Sequence, residues 1–178
     1  MSPVATAPPP DFTAVVQEYQ PLLRRVCRLY CPDPADRQDL FQEVVLQLWR
    51  AWPNYQPQAG AKLSTWLYRV ALNVAISSLR QRTRRPQSAR LDDDTTRHLP
   101  QPDPPAAYEP EELAVLYHAI DRLSDVDKAF VLLYLEERTY EEMADILGIT
   151  QNNVRVKMHR VQDKLRQLLT RPAAYGTR

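Results

Sequence analysis

Glycine is scarce in this chain, with three residues in 178 beside sixteen prolines. No glycine-rich loop that cradles phosphates can be assembled from them. Ten of the prolines fall in two stretches, residues 1–10 and Pro86 to Pro110, so they mark a tail and a linker rather than strands. No apolar run approaches the roughly 18 residues of a membrane span, and the opening MSPVATAPPP lacks the basic start and apolar centre of a signal peptide. A cytoplasmic location is expected. Cysteine is limited to Cys27 and Cys31. Structural zinc takes four ligands, and the histidines stand far off in sequence at 98, 118 and 159, so no metal and no other cofactor is expected. Two buried or half-buried thiols in a reducing compartment are expected instead. Adjacent carboxylates such as Glu136-Glu137 and Glu141-Glu142 diverge on a helix, and no nucleophile-base-orienter set stands out. The chain reads as a non-enzyme.

Acids are missing from one long stretch. Val44 to Leu91 carries eight basic residues and no carboxylate; Asp92 to Thr150 carries fifteen acids and four bases; from Gln151 onward there are seven bases and one acid. The formal net charge of +1 conceals this sorting. Two basic segments separated by an acidic tract suggest a polyanion touched at two places. With 44% hydrophobic and 25% charged residues, the chain can bury one moderate core or two small ones. The proline-rich stretch favours two: a disordered tail at 1–10, a domain at 11–85, a linker at 86–110, a domain at 111–170 and a tail at 171–178.

Thr139 to Leu165 carries the densest local signals. Thr139 followed by Glu142 is a capping box that starts a helix, and Gly148 stands where a left-handed residue ends it two turns later. Thr150 can cap a second helix with Val154, Met158, Val161, Leu165 and Leu168 at three-four spacing. Its other face offers Gln151, Asn152, Asn153, Arg155, Lys157, His159 and Arg160, donors suited to base edges and phosphates. A helix-turn-helix is the leading reading, and an ordinary helical hairpin is the plain alternative.

The rest reads as helix throughout, with no convincing strand. Phe12 to Tyr30 has helical apolar spacing, and Pro21 should kink or split it. A second helix runs from about Ala35 to Trp52, with Leu40, Phe41, Val44, Val45, Leu48 and Trp52 inward, and Pro53 closes it. Asn54 to Leu63 is a loop. Ser64 can cap the next helix, whose expected core face is Leu67, Val70, Ala71, Val74, Ser78 and Leu79. Trp66, Arg69, Asn73, Ser77 and Arg80 share another stripe, continuing into Arg82, Arg84 and Arg85. Cations with planar groups suit single-stranded nucleic acid; equally, Trp66 could anchor the core while the arginines solubilise the helix. After the linker, Leu113, Leu116, Ile120 and Leu123 should face inward, and Ser124 with Asp127 starts a helix bearing Val126, Phe130, Val131, Leu133 and Tyr134.

Asp39-Leu40-Phe41-Gln42-Glu43 leading to Leu48-Trp49, then STWLYRVALN from Ser64 to Asn73 running into Leu79-Arg80, resembles the region-two domain of bacterial extracytoplasmic-function (ECF) sigma factors of the sigma-70 family. Tyr140-Glu141-Glu142-Met143-Ala144 with Leu147-Gly148-Ile149, Asn153 to Lys157 and His159-Arg160 resembles their region-four domain. The resemblance implies an all-α protein of two small domains that binds core RNA polymerase and directs it to promoters. Region four then reads the minus-thirty-five element as duplex, and region two melts and reads the minus-ten element as single strand. Asp39, Gln42 and Glu43 would meet the polymerase. Asn54, Tyr55 and Lys62, in the loop that would hold a flipped-out base, and Trp66, Arg69, Asn73 and Arg80 would follow the melted strand. Gln151, Asn152, Asn153, Arg155, Lys157 and Arg160 would meet the duplex. Asp92, Asp93 and Asp94 of the linker would stand in for nascent RNA phosphates, and an anti-sigma factor is a family-level expectation.

Without the resemblance, a helix-turn-helix regulator that binds duplex DNA by itself is the nearest alternative, followed by a protein whose helices bind other proteins.

Overall fold

The computed structural model describes residues 11–56, 62–84 and 111–170. Arg85, the linker with Asp92, Asp93 and Asp94, residues 57–61 and both tails lie outside the described residues, as do the side chains of Arg82, Arg84 and Leu113. Every described regular element is helical, as the periodicity predicts. The chain separates into two compact units with a boundary after Ala75, which is also the last buried residue among the described side chains of its helix.

The first unit begins with α1, Phe12–Glu18, capped by Asp11, whose carboxylate accepts from the Thr13 N–H at 3.3 Å. Tyr19 breaks the chain and α2 follows, Gln20–Tyr30, with Pro21 in its first turn. The proline therefore splits the predicted helix, and it does so two residues downstream of the break, where its missing N–H costs nothing. Leu22, Leu23, Val26, Cys27 and Tyr30 turn inward. Helix α3, Pro34–Ala51, starts on Asp33, which accepts from the Ala35 and Asp36 N–H groups, and buries Leu40, Val44 and Leu48. Arg37, near its start, donates from Nε to the Cys31 carbonyl at 3.2 Å and from Nη2 to the Pro32 carbonyl at 2.8 Å. The guanidinium thus satisfies carbonyls that the end of α2 leaves bare. A 3-10 turn, Trp52–Asn54, follows α3 and takes in Pro53.

Helix α4, Leu63–Arg84, corrects two expectations. It starts at Leu63, so Ser64 lies inside the first turn and is 8% exposed rather than capping the end. Its buried apolar residues, among the described side chains, are Leu67, Tyr68, Ala71, Leu72 and Ala75, while Val70, Val74, Ser78 and Leu79 are half-buried. At 100° per residue this core arc is rotated by about 60° from the predicted one. Apolar residues nearly encircle the helix between 67 and 76, so periodicity alone does not fix the phase.

In the second unit, α5 (Glu111–Asp121) and α6 (Asp125–Leu135) precede the pair α7 (Tyr140–Leu147) and α8 (Gln151–Thr170). Helix α8 packs on all three others. Ser124 accepts from the Asp127 N–H at 3.2 Å, the expected cap. The Asp127 carboxylate does not close the box; it reaches Lys164 Nζ of α8 at 2.6 Å and is 4% exposed. Phe130, Val131 and Leu133 are buried as expected and are joined by Ala129 and Leu132, whereas Val126 is half-buried and Tyr134 exposed. Just beyond α6, Glu137 stands at φ 54°, left-handed without being glycine.

Candidate nucleic-acid interface

The turn between α7 and α8 follows from its residues. Thr139 Oγ1 accepts from the Glu142 N–H at 3.2 Å, and Glu142 Oε2 accepts from the Thr139 N–H at 3.0 Å, completing the capping box. Gly148 sits at φ 68°, ψ 35°, and its N–H reaches the Ala144 carbonyl. Thr150 Oγ1 accepts from the Asn153 N–H at 3.3 Å at the start of α8. Val154, Met158 and Val161 are buried, which leaves Gln151, Asn152, Asn153, Arg155, Lys157 and Arg160 all exposed. The first half of α8 thus offers amides and cations with no acid in its first turn, where the positive end of the helix dipole favours phosphate. Asp163 is the nearest acid, accepting from Arg166 at 3.0 Å and lying 3.0 Å from His159 Nδ1. Val156, 45% exposed and opposite the buried stripe, was not predicted as a site residue. An apolar group amid donors is the signal that marks it, because it suits a thymine methyl.

A second face runs along α4. Arg69, Asn73, Ser77 and Arg80 are all exposed and lie opposite the buried arc, spanning with Trp66 about 21 Å of helix. Trp66 itself is half-buried in a cluster of rings. Its centroid lies 4.9 Å from that of Tyr55 and 5.9 Å from that of Trp52; Trp52 stacks on Tyr55 at 5.3 Å and meets the edge of Phe12 at 5.6 Å. The two readings of Trp66 therefore meet in one residue, which packs against neighbours and borders the stripe. Asn54 and Lys62 are exposed at the two described ends of the loop.

A third face lies on α3, where Asp39, Gln42 and Glu43 are exposed and Gln47 donates to Glu43 at 2.7 Å. Leu46 and Trp49, 38% and 60% exposed, extend the same stripe. Neither is among the residues expected to meet the polymerase, because apolar positions on this helix are expected on the core side. Their spacing from Gln42, four and seven residues on, is the signal that places them there.

No helix among the described residues is long and apolar enough to cross a membrane. Cys27 and Cys31 are buried free thiols, and burial, reinforced by the neighbouring Cys31, pushes the Cys27 thiol up to about 12.

The family model for Sigma-70 region 2 matches residues 15–85, and that for Sigma-70, region 4 matches residues 113–165. The ECF RNA polymerase sigma factor SigE of Mycolicibacterium smegmatis is 29% identical over 164 residues, spanning 91% of this chain and 63% of that protein's length. The RNA polymerase sigma factor CarQ of Myxococcus xanthus is 31% identical over 138 residues, 74% of each chain. The sigma factor RpoE of Bartonella quintana, solved in complex with the anti-sigma factor NepR, has a similar fold, with a TM-score of 0.68, 23% identity and coverage of 91% of this chain and 98% of that one. With both region models matched in chain order and a relative aligned across most of both chains, this chain belongs to the sigma-70 family as an RNA polymerase sigma factor of the ECF type.

Proposed function

We propose that residues 11–85 dock on core RNA polymerase and then melt and read the minus-ten promoter element, and that residues 111–170 read the minus-thirty-five element as duplex. The observation that carries this reading is the exposed stripe of Arg69, Asn73, Ser77 and Arg80 opposite the buried arc of α4, bordered by aromatic rings. Such a mixture follows a phosphate backbone while offering amide and planar groups to unstacked bases.

In the second unit, Asn152 and Asn153 supply amides suited to adenine, and Arg155 and Arg160 supply forks suited to guanine or phosphate. Asp39, Gln42 and Glu43, with Leu46 and Trp49, form the face for polymerase: exposed apolar groups inside a polar frame are the composition of a protein contact. The protein performs no catalysis of its own and acts in the cytoplasm. The linker, with Asp92, Asp93 and Asp94, runs toward the polymerase active site in place of nascent RNA. An anti-sigma factor is its expected inhibitor.

The deciding experiment mixes the purified protein with bacterial core RNA polymerase and selected promoter DNA. A stable complex that starts transcription is the expected result. Specific DNA binding without any association with polymerase would replace this reading by a free-standing regulator.

A further inference from the structure

Four rings from three parts of the chain converge beside the single-strand face. Trp52 is their hub: it touches Phe12 of α1, Tyr55 just beyond its own turn, and Trp66 of α4. All four rings are half-buried, so the cluster is set by ring-to-ring contacts more than by enclosure in the core. The first exposed residue of the α4 stripe, Arg69, stands one turn beyond Trp66, so the setting of the rings fixes where the stripe begins.

Helix α1 gives little else to the core. It has seven residues, too few to persist alone, and the one it buries is Val15. Phe12 approaches Trp52 from the side at an interplanar angle of 60°, the edge-to-face arrangement in which a positive ring edge meets a negative ring face.

We propose that Phe12 is a positioning residue for promoter melting, holding Trp52 and through it Trp66 at the head of the α4 face; this rests on the assignment of that face to the melted strand. Phe12 itself does not touch DNA in this role. Its removal frees Trp52 on one side and loosens the ring that borders Arg69.

The test uses the full chain assembled with core RNA polymerase on one promoter, prepared once as duplex and once with the minus-ten region already unpaired. Phe12→Ala is expected to lower opening of the duplex by about threefold to tenfold, the worth of one aromatic edge contact. Initiation from the unpaired template should match wild type, and Phe12→Tyr should restore opening. Tryptophan fluorescence during thermal unfolding checks that the first unit is folded. If Phe12→Ala does not fold, Phe12→Leu keeps apolar bulk without the ring edge and should show the same duplex-specific loss.

Wild-type opening by the variant that folds, or equal loss on both templates, would overturn the proposal. Asn73→Ala separates this from failure of the face itself. If Asn73→Ala lowers opening while the Phe12 variants do not, the face stands and the role of Phe12 falls; if neither does, the face assignment falls too.

Discussion

Two left-handed helix ends in the second unit make a paired prediction of opposite sign. Gly148 ends α7 at φ 68°, and Glu137 follows α6 at φ 54°. A Cβ in that conformation costs about 1–2 kcal/mol, and glycine returns about 0.5–1 kcal/mol of that through its greater freedom in the unfolded chain. Gly148→Ala should therefore destabilise the unit by about 1 kcal/mol. Glu137→Gly should stabilise it by a similar amount, because the N–H groups of Glu137 and Arg138 already reach the Tyr134 and Leu133 carbonyls and the backbone need not move. For a domain of this size, 1 kcal/mol shifts the midpoint by about 4–8 °C. The assay is thermal unfolding of the full chain by far-ultraviolet circular dichroism with tryptophan fluorescence in parallel. Trp49, Trp52 and Trp66 all lie in the first unit, so fluorescence should not respond to either change. Shifts of the same sign for the two variants, or a midpoint unmoved by both, would refute the backbone argument.

Further outcomes can be checked separately. Arg155→Ala and Arg160→Ala should each weaken use of the upstream element; a lost phosphate contact lowers the salt slope of binding by about 0.9, whereas a lost bidentate base contact costs about 1–3 kcal/mol at one promoter position, as binding across a salt series and a base-substituted promoter set would reveal. Trp49→Ala should raise the dissociation constant for core polymerase by at least about tenfold if the exposed ring is an anchor, measured by fluorescence-labelled competition. The Cys27 thiol should titrate near pH 12 when folded and near 9 when unfolded. Above pH 9 the unfolded chain releases a proton that the folded one keeps, so the first unit should lose up to about 1.4 kcal/mol of stability per pH unit up to about 12. Urea midpoints followed by tryptophan fluorescence at pH 8, 9.5 and 11, compared with Cys27→Ser, measure it.

What could be read from the sequence was what local chemistry decides. The Thr139–Glu142 box, the Gly148 stop and the Thr150 cap involve residues no more than a few positions apart, and each forms as expected. Helix phase was harder. In α4 the near-continuous apolar run left the buried arc to be chosen by packing, and Tyr68, read as neither core nor face, is fully buried. In α6, five consecutive buried residues from Ala129 to Leu133 fit no single stripe, because α5 and α8 both pack on that helix. Contacts distant in sequence carry no local signature: Asp127 meets Lys164 across 37 residues, and Phe12 meets Trp52 across 40. The exposed stripe on α4 was legible because cations and amides at three-four spacing remain visible whichever arc is buried.

The anchoring of α8 gives the second unit a mechanical character. Lys164, tied to Asp127 at 2.6 Å, lies 13 residues from Gln151, a lever of about 20 Å. A tilt of about 5° about that anchor carries the amides of the first turn some 1.7 Å sideways, roughly half the length of a hydrogen bond. Substitutions around Lys164 therefore have gearing in their favour: a small change at the rear of the helix is amplified at the first turn, where the proposed promoter contacts stand. On the proposed assignment, base preference can be retuned without touching any of the residues proposed to meet DNA.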